Sequence, residues 1–123
     1  MLCFAVAACS SGSKGSTTLS VELKDFSFSP ATFTIPAGKE ITLSMNNTGK
    51  VVHEFVILKA GQAVTVPFDA DDEPKVFWEA EVEAGKSETF KFTAPADAGT
   101  YSVVCGQPQH VEAGMVGTLT VVK

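Results

Sequence analysis

From Leu19 onward apolar and polar residues alternate with a period of two. Ile41, Leu43 and Met45 alternate with Thr42, Ser44 and Asn46, and Phe90 and Phe92 with Thr89, Lys91 and Thr93. A strand sends successive side chains to opposite faces, so this pattern predicts half-buried strands rather than helices. Turn signals interrupt it at Ser29-Pro30, Pro36-Ala37-Gly38, Asn46-Asn47-Thr48-Gly49, Ala60-Gly61, Ala84-Gly85 and Ala98-Gly99. The strands predicted between them are 19–26, 32–36, 40–46, 52–58, 76–80, 87–93, 99–105 and 116–122. About eight short strands at this spacing predict an all-β fold, a two-sheet antiparallel Greek-key sandwich. Residues 59–75 fit the alternation least well, and their pattern leaves a loop, a short helix or an irregular edge segment open. Asp97-Ala98-Gly99-Thr100-Tyr101 at a strand entry predicts a tyrosine corner, in which the tyrosine hydroxyl bonds back to the upstream backbone.

Composition sets the limits on function. The chain has 123 residues, 45% of them apolar and 19% charged, which suits one soluble globular domain. A domain of this size buries roughly two-thirds of the surface its unfolded chain exposes, so it needs no disulfide framework. Cys3, Cys9 and Cys105 are therefore expected to serve purposes other than cross-linking. Nine lysines, no arginine and fourteen acids give a net charge of -5, which argues against binding a nucleic-acid backbone. Half of the acids, Asp69, Asp71, Asp72, Glu73, Glu79, Glu81 and Glu83, fall in one short stretch. A run of this kind is ordinarily a solvated loop; the sharper reading is a docking patch for a basic partner.

The N-terminus predicts an address. Residues 1–8 are apolar and uncharged, too short to span a bilayer, and Val6-Ala7-Ala8-Cys9 resembles a bacterial lipobox, in which the cysteine is lipidated. Ser10 to Thr18 is a flexible Gly/Ser linker. The predicted organisation is a signal and linker segment over 1–18 and a folded domain over 19–123. The expected location is outside the cytoplasm, periplasmic or at the cell surface, with the chain held at a membrane by lipid on Cys9.

The candidate chemistry lies near the C-terminus. Cys105-x4-His110-x4-Met115 sits between two apolar strands, and the other histidine, His53, opens the apolar run His53-Glu54-Phe55-Val56-Ile57-Leu58. Taken singly, a strand cysteine is a small buried hydrophobe, Met115 is core filler and His110 a surface histidine. Taken together, a thiolate, two imidazoles and a weak thioether are the donors of a trigonal copper site with a long axial bond. Zinc seldom takes a thioether. No histidine remains for the second copper centre that a multicopper oxidase or nitrite reductase needs, and a binuclear centre needs a second loop cysteine. Nucleophilic catalysis by Cys105 with His110 lacks an orienting acid and leaves Met115 without a role.

Nearly all of residues 19–123 resembles the cupredoxins, the small blue copper proteins. The resemblance is carried by Phe28-Ser29-Pro30, Ile35-Pro36-Ala37-Gly38, Asn47-Thr48-Gly49, His53-Glu54-Phe55, Gly99-Thr100-Tyr101 and the Cys105 to Met115 loop. Four residues on each side of the loop histidine are more similar to members of the auracyanin and rusticyanin type than to plastocyanin. The resemblance implies one copper ion with His53, Cys105 and His110 as equatorial ligands and Met115 as the axial one. It implies an exposed His110 edge as the electron port, a deeper His53 shielded by Phe55 and neighbouring loops, and an Asn47 that ties the two ligand-bearing loops together. Where many members have Pro-Gly-His this chain has Pro108-Gln109-His110, and Gln107 stands where an apolar residue is common. The expected function is one-electron transfer by a monomer that is not an enzyme. Its expected partners are redox proteins such as a c-type cytochrome or a membrane redox complex, with the acidic segment 69–83 steering a basic partner. The alternative is a copper-binding or chaperone protein without an electron-shuttle role.

Overall fold

The computed structural model describes residues 14–123. Cys3, Cys9 and the lipobox-like segment lie outside the described residues. The described chain forms nine strands: β1 (Thr18–Lys24), β2 (Ser27–Ser29), β3 (Thr32–Pro36), β4 (Glu40–Asn47), β5 (His53–Leu58), β6 (Val76–Val82), β7 (Ser87–Thr93), β8 (Gly99–Val104) and β9 (Val116–Val122). They build two sheets, ordered β2-β1-β4-β7 and β3-β9-β8-β5-β6.

Alternation explains the core. Leu19, Val21 and Leu23 of β1 and Ile41, Leu43 and Met45 of β4 face inward, against Phe33, Ile35, Phe55, Ile57, Val103, Leu119 and Val121 of the second sheet. The predicted sandwich is present, with two differences. Each sheet is mixed, because β1 pairs parallel with β4 and β3 parallel with β9. The chain crosses to the second sheet after β2 and returns after β3, which brings β4 in beside β1 in the same direction; a hydrophobic pattern carries no information about direction. The predicted strand 19–26 is also broken by a turn at Asp25–Phe26, and the chain folds back antiparallel as β2.

Residues 59–75 cross the outer face of the second sheet and end in a 3₁₀ helix, Ala70–Lys75. Asp69 caps it, its side chain accepting from the Asp71 amide while Asp72 accepts from the Asp69 amide. Asp72 is therefore buried rather than part of a wholly solvated acidic run, and its carboxylate meets Lys75 Nζ at 2.6 Å and Thr65 at 3.3 Å. Phe68 of this excursion joins Val56, Leu58, Val104 and Val111 in a second small apolar cluster. That cluster is why β5 is buried on both faces and lacks alternation after Glu54. Tyr101 donates its hydroxyl to the Asp97 carbonyl at 2.7 Å, the tyrosine corner expected there.

Two features place the site. β5 and β8 are antiparallel neighbours with Val56 opposite Val104, so the start of β5 and the end of β8 meet at one end of the sandwich. The β1–β2 turn reaches the same end, because the Thr48 amide donates to the Leu23 carbonyl at 3.0 Å.

Candidate metal centre

His53 opens β5 and Cys105 follows β8, so strand pairing alone brings residues 52 positions apart together. The chain then closes on itself through short backbone bonds. His110 donates its amide to the Gln107 carbonyl, Met115 to that of His110, and Cys105 to that of Met115. These turns fold His110 back over the strand end. The donor atoms of His53, Cys105 and His110 all lie within 4.8 Å of one another. His110 Nδ1 is 3.2 Å from both Cys105 Sγ and His53 Nδ1, and His53 Nδ1 is 3.9 Å from Sγ. Met115 is fully buried in the same apolar cluster as Cys105.

Electrostatics fit a soft cation. Burial pushes the Cys105 thiol up to about 11, although the Glu54 and Gln107 amides pull the other way; Glu54 donates to Sγ at 3.3 Å. A thiol so placed keeps its proton at neutral pH until a cation displaces it, as a metal ligand must. Burial also lowers His110, helped by the neighbouring His53, so its ring offers a neutral lone pair. One thiolate, two imidazoles and a buried thioether in an apolar pocket fit one copper ion.

The surroundings differ from expectation in several respects. Asp25 and Phe26 of the β1–β2 turn stand against His53, while Phe55 packs edge-on against Phe28 and Phe33 in the core. Phe26 is 42% exposed, and its ring stands 4.7 Å from that of His110, which itself keeps only 9% of its surface. The expected His110 port is therefore narrow and shares its rim with an aromatic ring. Asn47 is fully buried but does not bridge the two ligand-bearing loops. Its amide donates to the Val51 and Val82 carbonyls, both at 2.9 Å, and its Oδ1 accepts from the Gly49 amide. It thus ties the approach to His53 onto β6.

The two polar departures in the loop have local reasons. Gln107 donates to Glu54 Oε1 at 2.7 Å and to Glu81 at 3.4 Å, so its amide caps a carboxylate that burial pushes up to about 7, with Glu81 adding to the rise. Gln109 sits at φ 70°, the left-handed region that glycine occupies most easily and that a Pro-Gly-His sequence would accommodate without cost. Gly106 passes so close to Glu54 Oε2 that a Cβ there would collide with it. Sequence reasoning missed Asp25, Phe26 and Glu54 as neighbours of the centre; the break in alternation at Lys24-Asp25-Phe26 was the one signal available.

Comparison with known proteins gives a consistent result. The profile of the cupredoxin-like domain matches residues 1–121. The chain is 34% identical over 111 residues to auracyanin-B of Chloroflexus aurantiacus, covering 76% of this chain and 46% of that protein, so it spans about half that relative's length. It is 33% identical over 118 residues to the copper-resistant cuproprotein CopI of Rubrivivax gelatinosus, covering 88% of this chain and 68% of the relative. The fold is similar to that of dithionite-reduced auracyanin from Roseiflexus castenholzii, with a TM-score of 0.76, 30% identity and coverage of 89% of this chain and 99% of that one.

Proposed function

The chain belongs to the cupredoxin-like family, and from that premise we propose that it is an electron carrier rather than an enzyme, in which His53, Cys105, His110 and Met115 would hold one copper ion. The observation that carries this reading is the convergence of the His53, Cys105 and His110 donor atoms within 4.8 Å at the buried end of the sandwich. Copper supplies a one-electron couple, and the protein's task is to keep its surroundings the same in both states. The strands do this for His53 and Cys105, and the backbone turns of 105–115 do it for His110 and Met115. The Glu54 amide, by donating to Sγ, withdraws charge from the thiolate and tunes the couple.

The site is proposed to exchange electrons at the rim formed by His110 and Phe26. The exposed acids Asp69, Asp71, Glu73, Glu79, Glu81 and Glu83 support a basic redox partner, such as a c-type cytochrome or a membrane complex. The lipobox-like Val6-Ala7-Ala8-Cys9 supports export and attachment to a membrane surface, where the carrier would shuttle. Similarity to a copper-resistant cuproprotein favours one second reading, copper binding without an electron-shuttle role.

Adding Cu(II) to the purified protein and recording its visible spectrum tests the centre. An intense thiolate-to-copper charge-transfer band is expected, and a colourless Cu(II) complex would falsify the assignment. In the copper-loaded protein, Met115→Gln is expected to lower the reduction potential, because an amide oxygen favours Cu(II) more than a thioether does; an unchanged or raised potential means Met115 is not axial. Fast self-exchange between oxidised and reduced protein separates a shuttle from a store. Association with a basic cytochrome that is indifferent to ionic strength would exclude steering by the acidic segment.

A further inference from the structure

The turn between β1 and β2 brings to the site a carboxylate that the ligand set does not use. Asp25 Oδ1 lies 2.7 Å from His53 Nε2, and Asp25 Oδ2 accepts the Lys50 amide at 2.9 Å. An ionised carboxylate has no proton to give, so Nε2 is the donor. In the neutral ring the lone pair is then on Nδ1, the nitrogen that faces Cys105 and His110.

The contact is built from three separate segments. The Thr48 amide ties the loop after β4 to the end of β1, which sets Asp25 opposite the chain leading into β5. Gly49 leaves the space: a Cβ there would strike the Asp25 carboxylate and stand 2.8 Å from His53 Nε2. The His53 side chain is fully buried, while that of Asp25 keeps 28% of its surface, so the carboxylate bridges a dry imidazole and solvent.

We propose that Asp25 is a positioning residue for the metal centre: by accepting the Nε2 proton of His53 it fixes which nitrogen faces the metal, and its charge makes that imidazole a stronger donor to Cu(II) than to Cu(I). The inference rests on the copper reading above. A neutral acceptor at Nε2 would orient the ring equally well. A carboxylate does more, because a more basic imidazole and a nearby negative charge both favour the more highly charged ion. The reduction potential therefore sits below the value that a neutral residue at position 25 would set.

The test is spectroelectrochemical titration of the copper-loaded full chain, of Asp25→Asn, which keeps the shape and removes the charge, and of Glu112→Gln, an exposed loop acid with no bond to a ligand. Asp25→Asn is expected to keep the charge-transfer band while shifting the ratio of Cu(II) to Cu(I) affinity about tenfold toward Cu(I), a rise of about 59 mV for a one-electron couple. Glu112→Gln is expected to move the potential far less. An unchanged potential in coloured Asp25→Asn, or an equal shift in Glu112→Gln, overturns the inference; a parent protein that binds Cu(II) without the band overturns the copper reading instead. Nitrogen and proton NMR of the Cu(I)-loaded parent needs no variant to fold. It is expected to show a slowly exchanging proton on His53 Nε2, and a freely exchanging proton there, or a proton on Nδ1, overturns the inference.

Discussion

The two sides of the metal centre are held by different kinds of bond. On the Cys105–Met115 side the order is local: four of the hydrogen bonds that shape the loop run between backbone groups no more than five residues apart, from His110 to Gln107, Ala113 to Gln109, Gly114 to Val111 and Met115 to His110. On the His53 side the order is distant. Asn47 holds Val82, Asp25 holds His53 and Lys50, and Thr48 holds Leu23, each bond joining segments that meet only in the finished fold or depending on a particular side chain. A backbone-closed loop tolerates changes of side chain that a side-chain-closed corner does not.

The largest test of this contrast leaves the scaffold alone. Cys105→Ser is expected to abolish the charge-transfer band and to weaken copper binding by orders of magnitude, while the backbone bonds of the loop survive, as amide exchange of residues 107–115 would report. Next comes Asn47→Ala, which strands the Val51 and Val82 carbonyls and the Gly49 amide. It is expected to cost about 3 kcal/mol in the denaturant unfolding of the metal-free protein. A loss below 1 kcal/mol would mean that water or backbone takes over those bonds and that the two sides are not so different. Gln109→Gly works in the opposite sense, relieving the left-handed backbone at φ 70° and raising stability by about 1 kcal/mol. Destabilisation there would show that the Gln109 side chain holds the loop after all.

The smallest effect is a pH dependence. Lys75 first, and then the Asp69 amide, holds the Asp72 carboxyl below its ordinary value of 3.8. A carboxyl lowered in the folded state adds stability above its unfolded value and loses it as pH falls through the folded one. Asp72→Asn should therefore flatten the loss of stability below about pH 4 and leave the metal centre unchanged. An unaltered acid limb of the stability curve would show that the Asp72–Lys75 pair contributes nothing.

The same contrast decides what was legible beforehand. The loop carries its donors at fixed spacing in one short segment, so Cys105, His110 and Met115 were readable as a set, and His53 joined them as the one other histidine. Strands with one dry face, β4 above all, were legible through alternation. Asp25 was not, because nothing local connects it to a histidine 28 positions away. Asn47 was singled out by resemblance, but its true partner, Val82, lies on a strand whose register no pattern records. The parallel pairs and the outer-face burial of Val56 and Leu58 were hidden for the same reason: direction and partnership belong to the assembled sheets.

The excursion over residues 59–75 looks remote from the metal, yet it helps to decide how solvent responds there. Phe68 packs with Val56, Leu58, Val104 and Val111, so the strand pair that leads into His53 and Cys105 buries apolar side chains on its outer face as well as its inner one. When the charge of a bound copper ion changes by one, few water dipoles stand behind that pair to turn. The response is left to groups already fixed in place, among them the Glu54 amide on Sγ. On the proposed electron-carrier reading, a loop that carries no ligand would thus lower the cost of rearranging the medium at each change of charge.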